Sequence, residues 1–473
     1  MSNIIYGVLK KNLNKFLKHE YIYEKIDGEY KSYTYESFYR AVNKTALFLN
    51  SKGLRGKKIA IYSKNSYKYM IADIAIMAYT GIVVELSEQW NESDIEKIIE
   101  EIGLDAIIYE NDKEGTIDLL KINKKGVVYI PFDEINEFQG DSEAIPIEVD
   151  EQTCSKIVFS SGTTGTPKAV MLSQNNMFAN IDNLLRRAAM NKDDICYLFL
   201  PLSHTYGGIC NFLYSVVTGM KIYLCSDKNL IMRELQEVKP TVFCAVPILY
   251  EKIYQYGIEF SVPVPDILGG RIRHLFSGGA YLQSDIRKSF KNQGLNLLEA
   301  YGLSETSSLV SLEYPNEDDY TSVGDIFENI DVKISEPDKD GIGEITVKGD
   351  NIFIGYFNQE DMYKNCFDDE GYFKTGDLGY KDGNKLYLVG RKKRVIIRSN
   401  ARNIYPDEIE KIISDHFDVD SVKVYEKDYE INCILYSNTL KDINLEQINK
   451  YLPKHSKIDN IKVMKNNLDT KLK

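Results

Sequence analysis

Residues 157–172 read IVFSSGTTGTPKAVML. The apolar run 157–159 has strand character, and apolar residues resume after Lys168. Between them Ser160, Ser161, Gly162, Thr163, Thr164, Gly165, Thr166, Pro167 and Lys168 form a loop dense in hydroxyls and backbone N–H groups. Glycines free to take positive φ let such a backbone curl around an anion, and one lysine adds a point charge; these are materials for wrapping a polyphosphate. A Walker A loop needs Gly-x4-Gly-Lys-[Ser/Thr]. Here Gly162 and Lys168 enclose TTGTP, and Ala169 follows the lysine, so that motif fails. Ser/Thr/Gly clusters are most often plain surface loops, so the rest of the chain has to decide.

Working outward, the text alternates. Lys58–Tyr62, Ile82–Glu85 and Ala106–Tyr109 read as strands, separated by an apolar helix over 67–79 and a helix over 93–102 with Ser93 placed to cap it. Residues 1–55 read as a lead-in containing a helix at Tyr35–Ser51, whose apolar residues recur at three and four. Beyond the loop come a helix from about Asn175, a strand at 196–199, a helix past Gly208 and a strand at Lys221–Leu224. A helix at 230–238, a strand at 241–246 and a helix at 248–256 follow. This alternation predicts right-handed βαβ units and a parallel sheet. Residues 321–388 change character: short alternating runs are separated by DKDG, DDEG and KDGN, which are tight-turn sequences. GRKKR at 390–394 then opens a compact tail with two helices, Pro406–His416 and 445–452. The expected fold is α/β. A large N-terminal domain (1–390) of βαβ subdomains with a small β unit is joined by a hinge to a small α+β C-terminal domain (391–473).

Bulk properties narrow the function. A chain of 473 residues with 43% hydrophobic and 27% charged residues is globular and long enough for two or three units. A net charge of −12 would repel nucleic acid and anionic membrane, so neither is expected as a partner. The first 18 residues have no signal-peptide pattern and no run of 18 apolar residues occurs, so the expectation is a cytoplasmic protein without a transmembrane segment. The seven cysteines are scattered without C-x-x-C, and the five histidines show no ligand spacing; reduced thiols and no zinc are expected.

Four further stretches stand in order: LPLSHTYGG (200–208), YGLSETSS (301–308) after the turn SGGA (277–280), YFKTGDLGY (372–380) and GRKKRVIIRSNARNIYPDEIE (390–410). Singly each is ordinary; GRKK alone reads as a solvated basic patch. Together with the 157–172 loop they resemble the adenylate-forming (AMP-binding) superfamily, which includes firefly luciferase and peptide-synthetase adenylation domains. The strings VPILYEKI (246–253) and SNARNIYPDEIE look most like AMP-forming acyl-CoA synthetases. The resemblance implies a ligase that joins a small-molecule carboxylic acid to ATP, forming an acyl-adenylate and pyrophosphate, then transfers the acyl group to a thiol. Two anions must meet, so charge neutralisation and positioning dominate.

The resemblance also implies roles. Ser160 to Lys168 would hold the β/γ-phosphates, with Thr163 and Lys168 acting in catalysis. Glu305 would hold Mg²⁺, Thr306 would touch the α-phosphate, and Tyr301 with Gly302 would lie against the adenine. Gly279 and Ala280 would offer backbone edges, while Asp377 and Arg391 would reach the ribose. His204, Tyr206, Gly207 and Gly278 would line the carboxylic-acid pocket, with Gly207 and Gly208 leaving room in its wall. Lys393 would be the hinge, and Asn400, Ala401 and Arg402 would flank the thiol. Lys473 aligns with the catalytic lysine of the small domain. Thr205 and Tyr206 follow His204 where amino-acid-activating relatives carry an aspartate, so a fatty or aryl acid is favoured. Coenzyme A is the expected acceptor, the phosphopantetheine arm of an acyl carrier protein the alternative, and a lapsed nucleotide-binding relative the reading from another class.

Overall fold

The computed structural model describes residues 3–124, 126–140, 142–160, 167–397, 403–427, 430–437, 443–453 and 456–465. Two sheets dominate. In the seven-stranded sheet Lys58–Tyr62 lies between Ile82–Glu85 and Ala106–Tyr109, all parallel, as the alternating text requires. Cys154–Ser160 joins parallel to Ile82–Glu85 and turns back antiparallel through Lys168–Ser173, which ends beside Gly355–Tyr356. Helices Tyr67–Ala75 and Glu92–Ile98 run straight into wider π-helical turns, Ile76–Thr80 and Ile99–Gly103. The second helix is capped by Asn91, not Ser93: Asn91 accepts from the Asp94 N–H while the Asp94 carboxylate accepts from the Asn91 N–H. That reciprocal box satisfies two otherwise orphaned donors, which a lone serine at 93 could not.

The second sheet has thirteen strands. Its parallel centre is Ile195–Leu198, Lys221–Leu224, Val242–Ala245, His274–Gly278 and Leu297–Tyr301. The expected small antiparallel β unit continues this sheet: Asp325–Ile326, Lys385–Arg391, Phe373–Asp382, Gly343–Lys348 and Asp331–Ser335 extend it antiparallel. The short strand Ser311–Leu312 bridges the two halves, and at two residues it is too short to show a period. The lead-in also belongs here. Glu20–Ile26 and Glu29–Thr34 form a hairpin at the opposite edge, turned by Asp27 (φ 50°) and Gly28 (φ 87°), the positive-φ pair that a two-residue hairpin needs.

After Arg391, strands Ser421–Lys427, Glu430–Tyr436 and Asn460–Met464 form a three-stranded sheet under helix Pro406–His416. Ile409, Ile413, Val424, Cys433, Leu435 and Ile448 make a core of their own there. Among the described residues no helix is long and apolar enough to cross a membrane.

One polar group sits deep in the first core. Lys156, on the strand that leads to the Ser/Thr/Gly loop, is 2% exposed and lies 2.8 Å from Asp73. It also pairs with Glu85, which accepts from the Tyr69 hydroxyl. Burial pushes the Glu85 carboxyl up to about 7 against the pull of Lys156. Burial lowers the Lys156 pKa too, but the two carboxylates outweigh it and hold the ammonium charged. Lys156→Met would leave two buried acids without their cation, and a loss of about 3–5 kcal/mol is expected. Urea denaturation measures it; adding Glu85→Gln should recover part of the loss.

Candidate active site

Ser160 and Lys168 are direct cross-strand partners. The loop between them is therefore a hairpin connection whose two ends are fixed by a ladder. Ser161, Gly162, Thr163, Thr164, Gly165 and Thr166 lie outside the described residues, as do Asn400, Ala401, Arg402 and Lys473.

Against these ends stands the turn after strand Leu297–Tyr301. Gly302 is obligatory: a Cβ there would sit 1.9 Å from the Ser308 carbonyl oxygen. The chain then doubles back through Ser304–Thr306, with Ser307 at φ 52° and Ser308 at φ 106°. Non-glycine residues in this region store strain that the surroundings must hold. Two buried asparagines do so. Asn180 donates to the Thr306 and Ser307 carbonyls at 2.7 and 2.9 Å, and Asn351 to those of Thr306 and Leu309 at 3.2 and 3.0 Å. Neither was visible in the sequence, where an asparagine in a helix or loop reads as a surface residue. The expected α-phosphate contact at Thr306 meets a different geometry. Thr306 is fully buried and its hydroxyl is engaged with the Leu303 N–H and carbonyl, so here it shapes the turn.

The turn presents Glu305. Its Oε1 accepts from Ser160 Oγ at 3.3 Å and from the Tyr356 hydroxyl at 2.9 Å. The Lys168 Nζ lies 5.0 Å from the centre of the Tyr356 ring. Tyr356 thus touches both the acid and the lysine, and burial beside Glu305 keeps its phenol protonated. In the sequence Tyr356 is only an aromatic in a short run.

A cavity of about 550 Å³ opens beside this group, between the sheet and helix Pro406–His416. Gly279, Ala280, Tyr301, Gly302, Asp377 and Arg391 line it, which brings these six expected nucleotide residues together, whereas Ser160, Lys168 and Thr306 are not in its lining. Asp377 and Arg391, 14 residues apart, are cross-strand partners, with Arg391 Nε 2.6 Å from Asp377 Oδ1. The Tyr301 hydroxyl donates to Oδ2 at 2.7 Å. Burial raises the Asp377 pKa while Arg391 and Tyr301 oppose the rise. Each carboxylate oxygen keeps a second lone pair, enough to accept a pair of vicinal hydroxyls. Glu299, which the sequence reading missed, also faces this cavity; burial pushes it up to about 7 although Arg287 Nη1 lies 3.2 Å away.

On the other side of the turn His204 is exposed. The Tyr206 ring lies against Gly278, where a built Cβ would be 3.5 Å from it. Gly207 and Gly208 do not leave room in the wall. Cβ atoms there would fall 2.3 Å from the Pro201 oxygen and 2.5 Å from the Leu202 oxygen, so these glycines serve close backbone packing. Lys393 sits in the turn Lys392–Arg394, and Arg394 pairs with Asp407 and, at 2.6 Å, with Glu410. That ion pairing accounts for the extra basic residue at the expected hinge.

The donor set fits a magnesium nucleotide. The described residues contain no cluster of three metal-ligating side chains, but Mg²⁺ is commonly held by one carboxylate plus substrate phosphates and water. Glu305, held by Ser160 and Tyr356, offers that one carboxylate.

A family model described as AMP-binding enzyme matches residues 9–357, most of the chain. The chain belongs to the AMP-binding enzyme family. Among its curated relatives, a long-chain-fatty-acid–CoA ligase of Gallus gallus is 26% identical over 87% of this chain and 64% of its own length. Long chain acyl-CoA synthetase 5 of Arabidopsis thaliana is 24% identical over 87% of this chain and 74% of its own length. Among solved structures, ATP-bound MatB of Rhodopseudomonas palustris superposes with a TM-score of 0.87 at 22% identity, covering 98% of this chain and 95% of that one. The o-succinylbenzoate–CoA synthetase MenE of Bacillus subtilis, in complex with ATP and magnesium, gives 0.82 at 22% identity, covering 97% and 95%. The fold of this AMP-binding enzyme is thus that of AMP-forming ligases.

Two substitutions probe the site. Tyr356→Phe keeps the ring under Lys168 and deletes the hydroxyl that holds Glu305. A hydrogen bond to a charged group is worth about 1.5–3 kcal/mol, so the Mg²⁺ concentration giving half-maximal ATP binding should rise about tenfold or more. Calorimetric titration of ATP at graded Mg²⁺ measures it. Asp377→Asn keeps the shape but turns one acceptor into a donor facing Arg391; AMP affinity, measured the same way without metal, should fall about tenfold.

Proposed function

We propose that this AMP-binding enzyme is an acid–thiol ligase that activates a carboxylic acid with ATP, releases pyrophosphate, and passes the acyl group to the thiol of coenzyme A. The observation that carries the reading is the placing of Glu305 against Ser160 and Tyr356, with Lys168 over the Tyr356 ring, together with a cavity holding the Asp377–Arg391 pair. In this reading a carboxylate oxygen attacks the α-phosphorus, and the bond to the oxygen bridging α and β breaks. Lys168 and the loop residues Ser161 to Thr166, Thr163 among them, neutralise the departing pyrophosphate. Glu305 holds Mg²⁺, which when bound lowers the repulsion between the two anions. Asp377 and Arg391 hold the ribose, Tyr301 faces the adenine, and Gly279 and Ala280 offer backbone groups to its edge.

The described part of the acid side, His204 followed by Thr205 and Tyr206, offers no carboxylate to an α-amine, which favours a fatty or aryl acid. Residues 391–473 are taken as a domain that moves against 1–390 about Lys393. It brings Lys473 to the adenylation step, then Asn400, Ala401 and Arg402 to the thiol.

The test is carboxylate-dependent ATP–pyrophosphate exchange, with AMP as the nucleotide product. Exchange should require an added acid. Production of ADP, or exchange indifferent to acid, would overturn the reading. Lys473→Ala should slow exchange by about 100-fold, the scale of one positioned charge in a transition state. Lys393→Pro should spare exchange and slow only acyl transfer to coenzyme A.

A further inference from the structure

Two buried acids share one cation behind the wall of the cavity. Arg287, on helix Ser284–Asn292, points Nη1 at Glu299 and Nη2 at Glu313, and all three side chains are buried. The set has one carboxylate more than its cation can neutralise, and the hydrogen bonds show which acid is the weaker one. Glu313 accepts from Arg287 through one oxygen and from the Glu299 backbone N–H, at 2.8 Å, through the other. Glu299 has Arg287 at the longer distance of 3.2 Å and the Leu282 N–H nearby. Burial raises its pKa to about 7, Arg287 opposing the rise and the like charge of Glu313 adding to it. Glu299 is also the member of the set that faces the cavity.

Across the cavity stands helix Pro406–His416, which lines it with Asp407, Glu408, Lys411 and Asp415. Asp407 is taken up by Arg394 and the Arg391 N–H, and Glu408 is exposed. Arg391 and Asp377, on the sheet side, are engaged with each other. Lys411 and Asp415 lie one turn apart on one helix face, and both meet Tyr281. The Tyr281 hydroxyl donates to Asp415 at 2.8 Å, and Lys411 Nζ lies 4.8 Å from the centre of the Tyr281 ring. From there the Lys411 charge acts on Glu299 and favours its carboxylate. The cavity of about 550 Å³ keeps the helix itself off Glu299, so the helix brings Glu299 a charge more than a cover. By linkage, an ionised Glu299 favours this seat of the helix to the same degree.

We propose that Lys411 is a positioning residue, which seats helix Pro406–His416 on the cavity through its attraction to ionised Glu299, and that the seat loosens when Glu299 takes up a proton. The inference holds whichever acid or thiol the enzyme uses. The seated helix lowers the Glu299 pKa relative to the unseated one. Its contribution is therefore present above the unseated value and lost as pH falls through the seated one, about 7.

The experiment is hydrogen exchange of the full chain at pH 6, 7 and 8, corrected for intrinsic rates and read on peptides covering 277–284 and 406–416. Protection of both should rise about three- to fivefold from pH 6 to pH 8, the scale of an ion pair that water partly screens. Glu299→Gln and Lys411→Met should each flatten the rise at the pH 6 level. Glu313→Gln, which removes the like charge, should keep the rise but move it to lower pH. Wild-type protection that is flat between pH 6 and pH 8 overturns the proposal, as does a wild-type slope in Lys411→Met. The half-buried Lys411 position decides the matter even where Glu299→Gln fails to fold.

Discussion

The ladder pairing of Ser160 with Lys168 is the constraint on which the site depends. These two residues flank the Ser/Thr/Gly segment, and the strands that carry them fix where its two ends lie. Those strands are anchored four residues upstream, where Lys156 is locked between Asp73 and Glu85 inside the core. Apolar residues of similar size at all three positions would pack there, but they would not select one register for the strand. Sliding the strand by one residue would pull the ammonium away from both acids, so the ion cluster fixes the register that places Ser160 beside Glu305.

Three segments far apart in sequence then meet on one carboxylate. Glu305 comes from a strained turn, Ser160 from the hairpin and Tyr356 from a two-residue edge strand beside that hairpin. The strain at Ser307 and Ser308 is borne by the Asn180 and Asn351 amides. Without those donors the buried carbonyls of the turn would be unpaired and the turn would relax. Charge placement at the site is therefore maintained largely by neutral groups.

Much of this was legible in the sequence because it is written in local pattern. The helix at Tyr35–Ser51 and the strands at Lys58–Tyr62 and Ala106–Tyr109 carry clear periods, and the motifs around Glu305 and Asp377 are contiguous strings. What escaped was non-local or too short. Asn180, Asn351 and Tyr356 act through partners more than 40 residues away, and no spacing announces them. The antiparallel unit joins the large sheet through a strand of two residues. Gly207 and Gly208 misled because a missing side chain looks like space until the backbone that fills it is known.

The pairing of Arg394 with Asp407 and Glu410 has a mechanical meaning. It clamps the segment just after Lys393 to helix Pro406–His416, so that the turn and the helix are tied to one another. That helix forms a wall of the nucleotide cavity through Asp407, Glu408, Lys411 and Asp415, three acids and one base. A ligand carrying several negative charges therefore meets a mostly acidic wall on this side of the cavity in the arrangement seen here. By linkage the effect is reciprocal: an anion bound there would disfavour this placing of the helix by as much as the placing weakens the anion's binding, and the penalty falls with every negative charge the ligand lacks.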